Sequence, residues 1–247
     1  MPIRLFTPLP LTADTAISLP PGPTRHAQVR RVQPGDMLWL FDGQGADWPA
    51  QVLSVGRSEV RVHVGQPQAV ALELPLPVTL AVGVPANERM DGLVEKATEL
   101  GVALLQPLEC ERSVLRLTGE RAGERANRKQ AHWQAVAEAA CEQCGRARVP
   151  VVAPVQALPH WLAALPAHEP GALRLLLSPG EGTAPLHASA PAGATWVLAL
   201  SGPEGGLSPA EEAAALRAGF VRVGLGPRVL RADTAPLALL AWLGLRS

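Results

Sequence analysis

Two segments near the C-terminus combine glycine and proline in a way that suits the binding of a small ligand. Residues 198–209 read LALSGPEGGLSP and residues 225–231 read LGPRVLR, so each segment runs from apolar residues into glycine and proline. Glycine allows the backbone to approach a ligand, because no side chain intervenes and positive φ is unhindered. Main-chain groups in these segments could hold a flat molecule such as adenine or a nucleoside, although ordinary strand-to-helix turns have a similar composition.

The neighbouring residues place these segments at the ends of strands. Ser208 is suited to the N-cap of a helix, Pro209 to its first turn and Glu211 to a capping box, which predicts a rigid strand-to-helix turn. A third glycine loop, 178–182, follows the predicted strand 173–177. Open α/β sheets bind ligands at the carboxyl ends of their strands, so the three loops predict one crevice. There is no Gly-x-Gly-x-x-Gly motif after an early strand and no Walker lysine, which disfavours a dinucleotide or a nucleoside triphosphate.

The composition is that of a protein with a large apolar core and little net charge. The chain has 247 residues, of which 47% are hydrophobic and 18% are charged, and its formal net charge is zero. Zero net charge argues against extensive phosphate binding. However, residues 111–148 contain eight Arg and Lys residues against five Glu residues, a local excess of +3. This excess of positive charge is modest, but it could form a surface that binds an anionic partner.

The cysteines and the N-terminus predict a protein that resides in a reducing compartment and binds no metal. Cys141 and Cys144 form a Cys-x-x-Cys pair beside a single Cys110, but no second pair with matching spacing accompanies it, so we predict no zinc site. The N-terminus lacks a basic region followed by an apolar core, and there is no uncharged apolar run of about 18 residues. We therefore expect a cytoplasmic protein with neither a signal peptide nor a membrane span.

Residues 1–72 contain short apolar runs separated by turns, which predicts a small β-barrel or sandwich. The predicted strands are 3–6, 37–41, 50–55 and 59–64, and apolar and polar residues alternate with a period of two in the last of them. A short helix within 25–32 would carry His26, Arg30 and Arg31. These side chains could grip RNA phosphates, or they could simply form a solvated surface.

After a proline-rich linker at 73–77, the pattern changes to alternating strands and helices, which predicts an α/β domain over 78–247. The predicted elements are strand 78–84, helix 87–100, strand 103–108, helix 127–144, a short helix near His160, strand 173–177, strand 195–200, helix 210–218 and helix 235–245.

Two ion pairs are predicted on these helices. Lys96 and Glu99 are three residues apart and should form a surface pair. Glu142 and Arg146 are four residues apart and should pair at the helix end, with Gly145 ending the helix and directing Arg146 outward.

Five motifs together resemble the RsmE family of ribosomal RNA methyltransferases, which belongs to the SPOUT superfamily. They are GPEGGLS at 202–208, LGPRVLR at 225–231, ACEQCGR at 140–146, EKATELGV at 95–102, and His26 with the Val-Arg pair at 29–30. The similarity covers nearly the whole chain in the order of the family. It departs from the family pattern at Asp233, where the family usually has Glu, and at 178–180, which matches only loosely.

The resemblance implies a PUA-like RNA-binding β-barrel over 1–72, a linker at 73–77 and an α/β methyltransferase domain over 78–247 that ends in a deep trefoil knot. It implies that S-adenosyl-L-methionine binds among the knot loops of a homodimer whose interface completes the site. The implied reaction is methylation of N3 of a uridine in the decoding region of 16S rRNA, U1498 in the standard rRNA numbering, in the small ribosomal subunit. We expect neither a membrane nor a metal as a partner.

The resemblance and the chemistry of this reaction together assign the candidate site residues. Cofactor-binding residues lie in or near loops 177–181, 200–206 and 225–230, and they are Leu177, Ser178, Leu200, Ser201, Gly202, Pro203, Glu204, Gly205, Gly206, Leu225, Gly226, Val229, Leu230 and Thr234. The RNA-binding candidates are His26, Arg30, Arg31, Lys96 and Arg112. The catalytic candidates are Arg231, Glu204, Glu142 and Arg146.

The chemistry of the reaction suggests a role for each catalytic candidate. Uridine N3 carries a proton that must leave before or during attack on the sulfonium methyl, and the resulting anion spreads onto O2 and O4. The site therefore needs a proton acceptor and a cation. We expect Arg231 to stabilise the uracil anion and Glu204 to act as orienting group or proton acceptor, while Glu142 and Arg146 shape the substrate side. Loop hydrogen bonding for Glu204 and a helix-end ion pair for Glu142 and Arg146 are the structural alternatives.

Two other functions are compatible with these residues. A SPOUT methyltransferase that acts on a ribose 2′-hydroxyl of rRNA or tRNA would keep the knot and the cofactor but change the acceptor. A non-catalytic RNA-binding assembly factor would use the barrel and the basic segment without turnover. The methylated nucleoside separates the two enzymes, and cofactor binding separates both of them from the assembly factor.

Overall fold

In the computed structural model, the chain divides into two compact units. Unit 1 contains Met1–Glu73 and Glu138–Val149, and unit 2 contains Leu74–Ala137 and Pro150–Ser247. The structure describes residues 3–86, 89–118, 123–167, 170–179, 182–186 and 193–246. The predicted domains are contiguous in sequence, whereas unit 1 also contains a segment from the middle of the chain.

Unit 1 is built on a mixed sheet with six strands among the described residues. They are β1 (Arg4–Phe6), β2 (Thr15–Ser18), β3 (Met37–Phe41), β4 (Ala46–Val55), β5 (Val60–Val64) and β6 (Gln68–Ala69). The order is β1-β3-β4-β5-β2 with β6 on β4, and β1 and β3 are parallel while the other neighbours are antiparallel. Val60, Val62 and Val64 are buried while Arg61 and His63 are exposed, which confirms the predicted two-residue alternation of β5. The four predicted strands are present, and β2 and β6 extend the sheet beyond them.

Helix α1 (Pro21–Val29) packs on the core of unit 1 through the fully buried Ala27. The prediction of a helix within 25–32 is wrong at both ends. The helix begins earlier because proline is well suited to its first turn, where a backbone N–H has no helical partner. It ends before Arg30 and Arg31, and Arg31 has a left-handed backbone with φ 58°.

Unit 2 contains a parallel sheet with eight strands among the described residues, which confirms the predicted α/β class. They are β7 (Val78–Gly83), β8 (Leu104–Glu109), β9 (Val151–Val152), β10 (Gln156–Ala157), β11 (Ala172–Leu176), β12 (Ala184–Pro185), β13 (Trp196–Ser201) and β14 (Val221–Gly224). The order is β10-β8-β7-β13-β11-β14-β12 with β9 on β8, and all neighbours are parallel.

Five further helices follow strands of this sheet among the described residues. They are α2 (Arg89–Glu99), α3 (Gly123–Cys144), α4 (Leu158–Ala164), α5 (Pro209–Arg217) and α6 (Thr234–Gly244). Helix α3 begins before the predicted residue 127, and its residues from Glu138 onward belong to unit 1. The predicted start of α2 at residue 87 lies outside the described residues.

Alternate residues of the parallel sheet point to opposite faces, and helices cover both of them. Val197 and Ala199 of β13 belong to a core shared with α2, α3 and α6. Leu198 and Leu200 belong to a core shared with α4 and α5. A strand buried on both faces reads as one continuous apolar run, as β13 does. Within the described part of the chain, no helix is long and apolar enough to cross a bilayer.

Candidate active site

A cavity of about 420 Å³ lies where strands β11 and β13 end. Its lining comes from three segments and from Arg89 at the start of α2. The segments are 177–179 after β11, residues 201–204, 206 and 207 from the end of β13 onward, and residues 229–232 and 235 around the start of α6. The structure therefore brings the three predicted glycine loops to one cavity at the carboxyl end of the sheet, which is the usual ligand position in this class of fold. The predicted loop residues 180 and 181 lie outside the described residues.

A second cavity of about 260 Å³ adjoins the first, and the lining residues common to both are Leu177, Ser178, Pro179, Val229, Leu230 and Ala235. It continues along 223–226 at the end of β14. Ligand pockets typically have volumes of roughly 300–1,000 Å³, so the first cavity alone is large enough for a small-molecule ligand. Most predicted cofactor residues line one cavity or the other; those that do not are Leu200, Gly205 and Thr234.

The loop after β13 is held by close main-chain packing. A Cβ atom at Gly202 would lie 2.8 Å from the Leu207 nitrogen, and a Cβ atom at Gly83, the last residue of β7, would lie 2.5 Å from Pro203 Cδ. The Gly206 N–H donates to the Pro203 carbonyl at 2.8 Å, and Gly206 has φ +69°. Only glycine fits at positions 83 and 202 without a shift of the backbone.

The predicted capping box at the start of α5 is confirmed, and its carboxylate makes one further contact. The Glu211 N–H donates to Ser208 Oγ at 3.3 Å, and the Ser208 N–H donates to Glu211 Oε2 at 2.9 Å. The other oxygen, Glu211 Oε1, accepts the Glu111 N–H at 2.8 Å. The buried Glu211 carboxylate thus connects the loop after β13, helix α5 and the end of β8.

Glu204 points to the loop between β7 and α2. Both of its carboxylate oxygens accept the Ala86 N–H, at 2.9 and 3.2 Å, and Oε1 also lies 3.3 Å from Arg89 Nη1. Arg89 lines the cavity and was not among the candidates from sequence. Its position in sequence is the signal that could have identified it, because it begins the helix after β7, whose carboxyl end lies at the same edge of the sheet.

Arg231 lines the first cavity and is exposed. Its guanidinium makes no hydrogen bond or ion pair with the described residues. Asp233, the N-cap residue of α6, makes no capping hydrogen bond through its side chain. Its Oδ1 atom is buried and has no hydrogen-bond partner in the described structure.

Glu142 and Arg146 belong to unit 1 and do not line either cavity. Glu142 Oε1 accepts the Phe6 N–H at 2.8 Å, and Oε2 lies 3.1 Å from His26 Nδ1. Arg146 is only 3% exposed and donates to Glu73, with Nε 3.1 Å from Oε1. The predictions of a Glu142–Arg146 pair and of an outward-facing Arg146 are therefore wrong, because each side chain has a partner far away in sequence. The prediction that Gly145 ends the helix is confirmed by its φ of +92°.

The predicted RNA-binding residues differ in how far they are free to meet a partner. Arg30 and Arg31 are exposed, and the His26 side chain, which lies beside Glu142, is 35% exposed. Lys96 lies 2.7 Å from Glu95 and 2.8 Å from Glu99, which confirms the predicted surface pair with Glu99. Hydrogen bonds to these two carboxylates raise the pKa of Lys96.

Arg112, the remaining RNA-binding candidate, is exposed but already makes contacts with the protein. Its Nη1 atom donates to the carbonyl oxygens of Gly205 at 3.0 Å and Leu207 at 3.2 Å. The guanidinium therefore reaches the main chain of the glycine loop itself.

The other titratable groups with shifted pKa values are not among the catalytic residues predicted from sequence. Burial and the nearby Glu211 carboxylate raise the pKa of the Cys110 thiol to about 12. A hydrogen bond with Cys144 and burial raise the pKa of Cys141. Burial opposes the ionisation of Glu109, but hydrogen bonds from backbone N–H groups outweigh it and lower its pKa. Within the described residues, no cluster of three His, Cys, Asp or Glu side chains could hold a metal ion.

Two family models match the sequence. An RNA methyltransferase domain matches residues 72–244, which is well over half of the chain. An RNA methyltransferase PUA domain matches residues 24–65, within unit 1.

Two curated relatives extend the similarity to most of the chain. The ribosomal RNA small subunit methyltransferase E of Synechocystis is 32% identical over 247 residues, covering 98% of this chain and 77% of the relative. The protein of the same name from Mycobacterium tuberculosis is 34% identical over 218 residues, covering 88% of this chain and 81% of the relative.

Two solved structures have a closely similar fold. The ribosomal RNA small subunit methyltransferase E of Neisseria gonorrhoeae, bound to S-adenosyl methionine, has a TM-score of 0.89 and 33% identity over 98% of this chain and 96% of that chain. A putative methyltransferase from Legionella pneumophila, in complex with the bound cofactor SAM, has a TM-score of 0.90 and 30% identity over 100% of this chain and 98% of that chain.

Proposed function

We propose that this chain, which belongs to the ribosomal RNA small subunit methyltransferase E family of RNA methyltransferases, methylates N3 of a uridine in the decoding region of 16S rRNA. The proposed acceptor is U1498, and the methyl donor is S-adenosyl-L-methionine. The observation that carries the proposal is the cavity at the ends of β11 and β13, where three glycine loops meet beside the guanidinium of Arg231. The substrate is the rRNA of the small ribosomal subunit, and the reaction takes place in the cytoplasm.

The residues around the two cavities suit this donor. Glycines leave the main chain of 201–206 open to a ligand, and Leu177 and Leu230 provide apolar walls for a flat base. When bound, S-adenosyl-L-methionine supplies an electrophilic methyl group on a sulfonium. The residues assigned to the donor are those predicted from sequence that line a cavity: Leu177, Ser178, Ser201, Gly202, Pro203, Glu204, Gly206, Leu225, Gly226, Val229 and Leu230. Leu200, Gly205 and Thr234 support the shape of these loops.

Arg231 is the residue that stabilises the uracil anion. Loss of the N3 proton leaves a negative charge that spreads onto O2 and O4, and a cation placed there before the reaction lowers the barrier. The Arg231 guanidinium lines the cavity and has no partner among the described residues that would compete for it. Both features support this assignment.

Glu204 is an orienting group, and its carboxylate, which keeps free acceptor sites, is also the candidate acceptor of the N3 proton. Its two oxygens already accept the Ala86 N–H, and Arg89 lies 3.3 Å from one of them. A carboxylate engaged in this way holds the loop after β13 to the loop after β7. Arg89 thereby joins the site as the residue that balances the charge of Glu204 at the wall of the cavity.

Glu142 and Arg146 act on the substrate side through other residues. Glu142 lies 3.1 Å from His26 Nδ1 and so orients an imidazole whose remaining nitrogen is left for RNA. Arg146 is buried against Glu73 and stabilises the helix end that carries Glu142. RNA binding itself falls to the half-buried His26 and the exposed Arg30 and Arg31 of unit 1, and to Lys96 of unit 2.

We also propose a finer architecture, which the same family membership supports. We assign the deep trefoil knot to the C-terminal part of unit 2. Strand β11 lies between β13 and β14 although it precedes both in sequence, and the loops 201–207 and 225–230 line adjoining cavities, which supports this assignment. We likewise assign the sheet of unit 1 to a PUA-like barrel, on the PUA match over 24–65.

The protein acts as a homodimer that buries helix α6. This helix reads TAPLALLAWLG, and a helix that is apolar on all sides is typical of a buried position. In the single chain, however, Leu245 just after it is 88% exposed and Val229 just before it is 83% exposed. Size-exclusion chromatography with light scattering tests this assignment, and we expect Leu245→Glu to shift the mass toward the monomer. A monomeric wild-type protein at micromolar concentration would refute it.

Methyl transfer to small ribosomal subunits tests the reaction and its acceptor together. The protein is incubated with labelled S-adenosyl-L-methionine and 30S particles that lack their own modification, and the RNA is read by primer extension and nucleoside mass analysis. We expect one stop at a decoding-region uridine and 3-methyluridine as the product. A 2′-O-methylated ribose, or RNA binding without any turnover, contradicts the proposal.

Substitution of Arg231 tests the assigned chemistry. Arg231→Ala should lower the rate of transfer by about 10²-fold or more, because it removes a charge that stabilises the reacting anion. Calorimetry should find the affinity for the methyl donor changed by only a few fold. Arg217→Ala, which removes an exposed arginine from the last turn of α5, is the matched control. Unchanged turnover in Arg231→Ala would overturn the assignment.

A further inference from the structure

The loop after β8 is bonded to the glycine loop after β13 through one arginine. Arg112 Nη1 donates to the carbonyl oxygens of Gly205 at 3.0 Å and Leu207 at 3.2 Å. A Cβ atom at Gly205 would lie 3.1 Å from Arg112 Cβ, so the arginine side chain lies directly against the loop from its first carbon to its guanidinium.

Arg112 itself is held in place by a short hydrogen-bonded turn. Ser113 Oγ accepts the Cys110 N–H at 3.0 Å, and the Ser113 N–H donates to the Cys110 carbonyl at 3.0 Å. Next to Arg112, the Glu111 N–H donates to Glu211 Oε1 at 2.8 Å. Since Glu211 also caps α5, the backbone that carries Arg112 is anchored to the helix that follows the glycine loop.

We propose that Arg112 is a positioning residue for the methyl donor, which keeps the main chain of 201–207 in the shape that the donor requires. This inference rests on the proposed function, because it takes that loop as part of the donor site. Arg112 touches no reacting atom in this role and acts through the Gly205 and Leu207 carbonyls. The RNA contact predicted for Arg112 from sequence is the competing role, and the two roles make opposite predictions for the two substrates.

The geometry favours arginine over lysine. The planar guanidinium presents its N–H donors in a rigid fork, so a single terminal nitrogen can be held between two carbonyl oxygens. A lysine ammonium also has three N–H donors, but its stem is flexible and it lacks the rigid plane of the guanidinium, so it should hold the loop less firmly. Arg112→Lys should therefore recover only part of what Arg112→Ala loses, although it retains the charge in full.

Binding of the donor to the full-length protein, measured by calorimetry without RNA, is the primary test. Arg112→Ala removes two charge-assisted hydrogen bonds, and we expect the affinity for S-adenosyl-L-methionine to fall by about 10-fold, with Arg112→Lys in between. The control is Arg128→Ala, which removes a 76% exposed arginine that lies 3.9 Å from Glu124, and it should change the affinity less than about 2-fold.

A second variant disturbs the same contact without removing a charge. Gly205 has no positive φ, so alanine suits its backbone, but the new Cβ would lie 3.1 Å from Arg112 Cβ and must push the arginine aside. Gly205→Ala should weaken donor binding in the same direction as Arg112→Ala. Because both act on one contact, the double variant should lose less than the sum of the two single effects.

Steady-state kinetics on 30S particles and hydrogen exchange separate positioning from an RNA contact. For Arg112→Ala we expect a raised KM for the donor, a kcat within a few fold of wild type at donor saturation, and an unchanged KM for the particles. Amide exchange at Gly206 and Leu207 should accelerate even without any ligand. An unchanged donor affinity, with a raised and less salt-dependent KM for the particles, would overturn the proposal in favour of the RNA contact. If the wild-type protein bound no donor, the proposed function would fail together with this inference. If the wild-type protein bound the donor and Arg112→Ala bound it with the same affinity, the inference alone would be overturned.

Discussion

Replacement of Glu211 tests whether one buried carboxylate anchors the glycine loop. Glu211 is 6% exposed, and its oxygens accept the N–H groups of Glu111 and Ser208. Glu211→Ala leaves both N–H groups without a partner, and each buried donor left unsatisfied costs about 1–3 kcal/mol. We therefore expect the free energy of unfolding to fall by about 2–6 kcal/mol. Ser208→Ala removes only the hydroxyl that accepts the Glu211 N–H and should cost about 1 kcal/mol.

Urea denaturation followed by circular dichroism, at one fixed protein concentration, measures these differences. Glu211→Gln keeps the shape of the side chain but turns one acceptor into a donor that faces an N–H group, so its cost should lie between those of the other two variants. Glu124→Ala is the control, because Glu124 is 93% exposed and its loss should change stability by less than about 0.5 kcal/mol.

The order of the costs is what decides the outcome. If Glu211→Ala cost no more than Ser208→Ala, the carboxylate would not be satisfying two buried amides, and the anchoring role of Glu211 would be refuted. If the order holds, donor affinity should fall in Glu211→Ala as well, because the same carboxylate connects the loop after β13 to the backbone next to Arg112.

Two further predictions concern packing and thiol acidity. Gly83→Ala should lower the expression or the melting temperature of the protein and weaken donor binding, because its Cβ would lie 2.5 Å from Pro203. Thermal melting and calorimetry check this prediction. A melting temperature and a donor affinity equal to those of the wild type would contradict it. With a disulfide reagent near neutral pH, Cys144 should react first, because the raised pKa values keep buried Cys110 and Cys141 protonated. Rapid reaction of all three thiols in the folded protein would contradict the second prediction.

Local signals in the sequence predicted local structure well. The capping box of Ser208 and Glu211 and the helix end at Gly145 depend on contacts within a few residues, so residue type and spacing are enough to identify them. The alternation of β5 is equally local, since one face of the strand is buried and the other is exposed. The boundaries of α1 were harder to predict, because proline can begin a helix as well as interrupt a chain.

Side-chain partners were the least predictable feature. An i,i+4 ion pair on a helix surface is worth only about 0.2–0.5 kcal/mol, so a better partner elsewhere easily replaces it. Glu142 instead accepts the Phe6 N–H and lies beside His26, and Arg146 is buried against Glu73. None of these contacts has a signal in the spacing of the sequence, because the partners are distant along the chain.

The sequence by itself determined that glycine loops end several strands, that an arginine follows the last of them, and that the chain resembles a family of RNA methyltransferases. Only the tertiary structure decided that these loops share one cavity, that Arg231 lines it, and that Arg89, Arg112 and Glu211 hold its walls. The physical reason is that strand order comes from burying both faces of the parallel sheet under helices. That burial sums many non-local contacts, and no local pattern of residues encodes which loops it brings together.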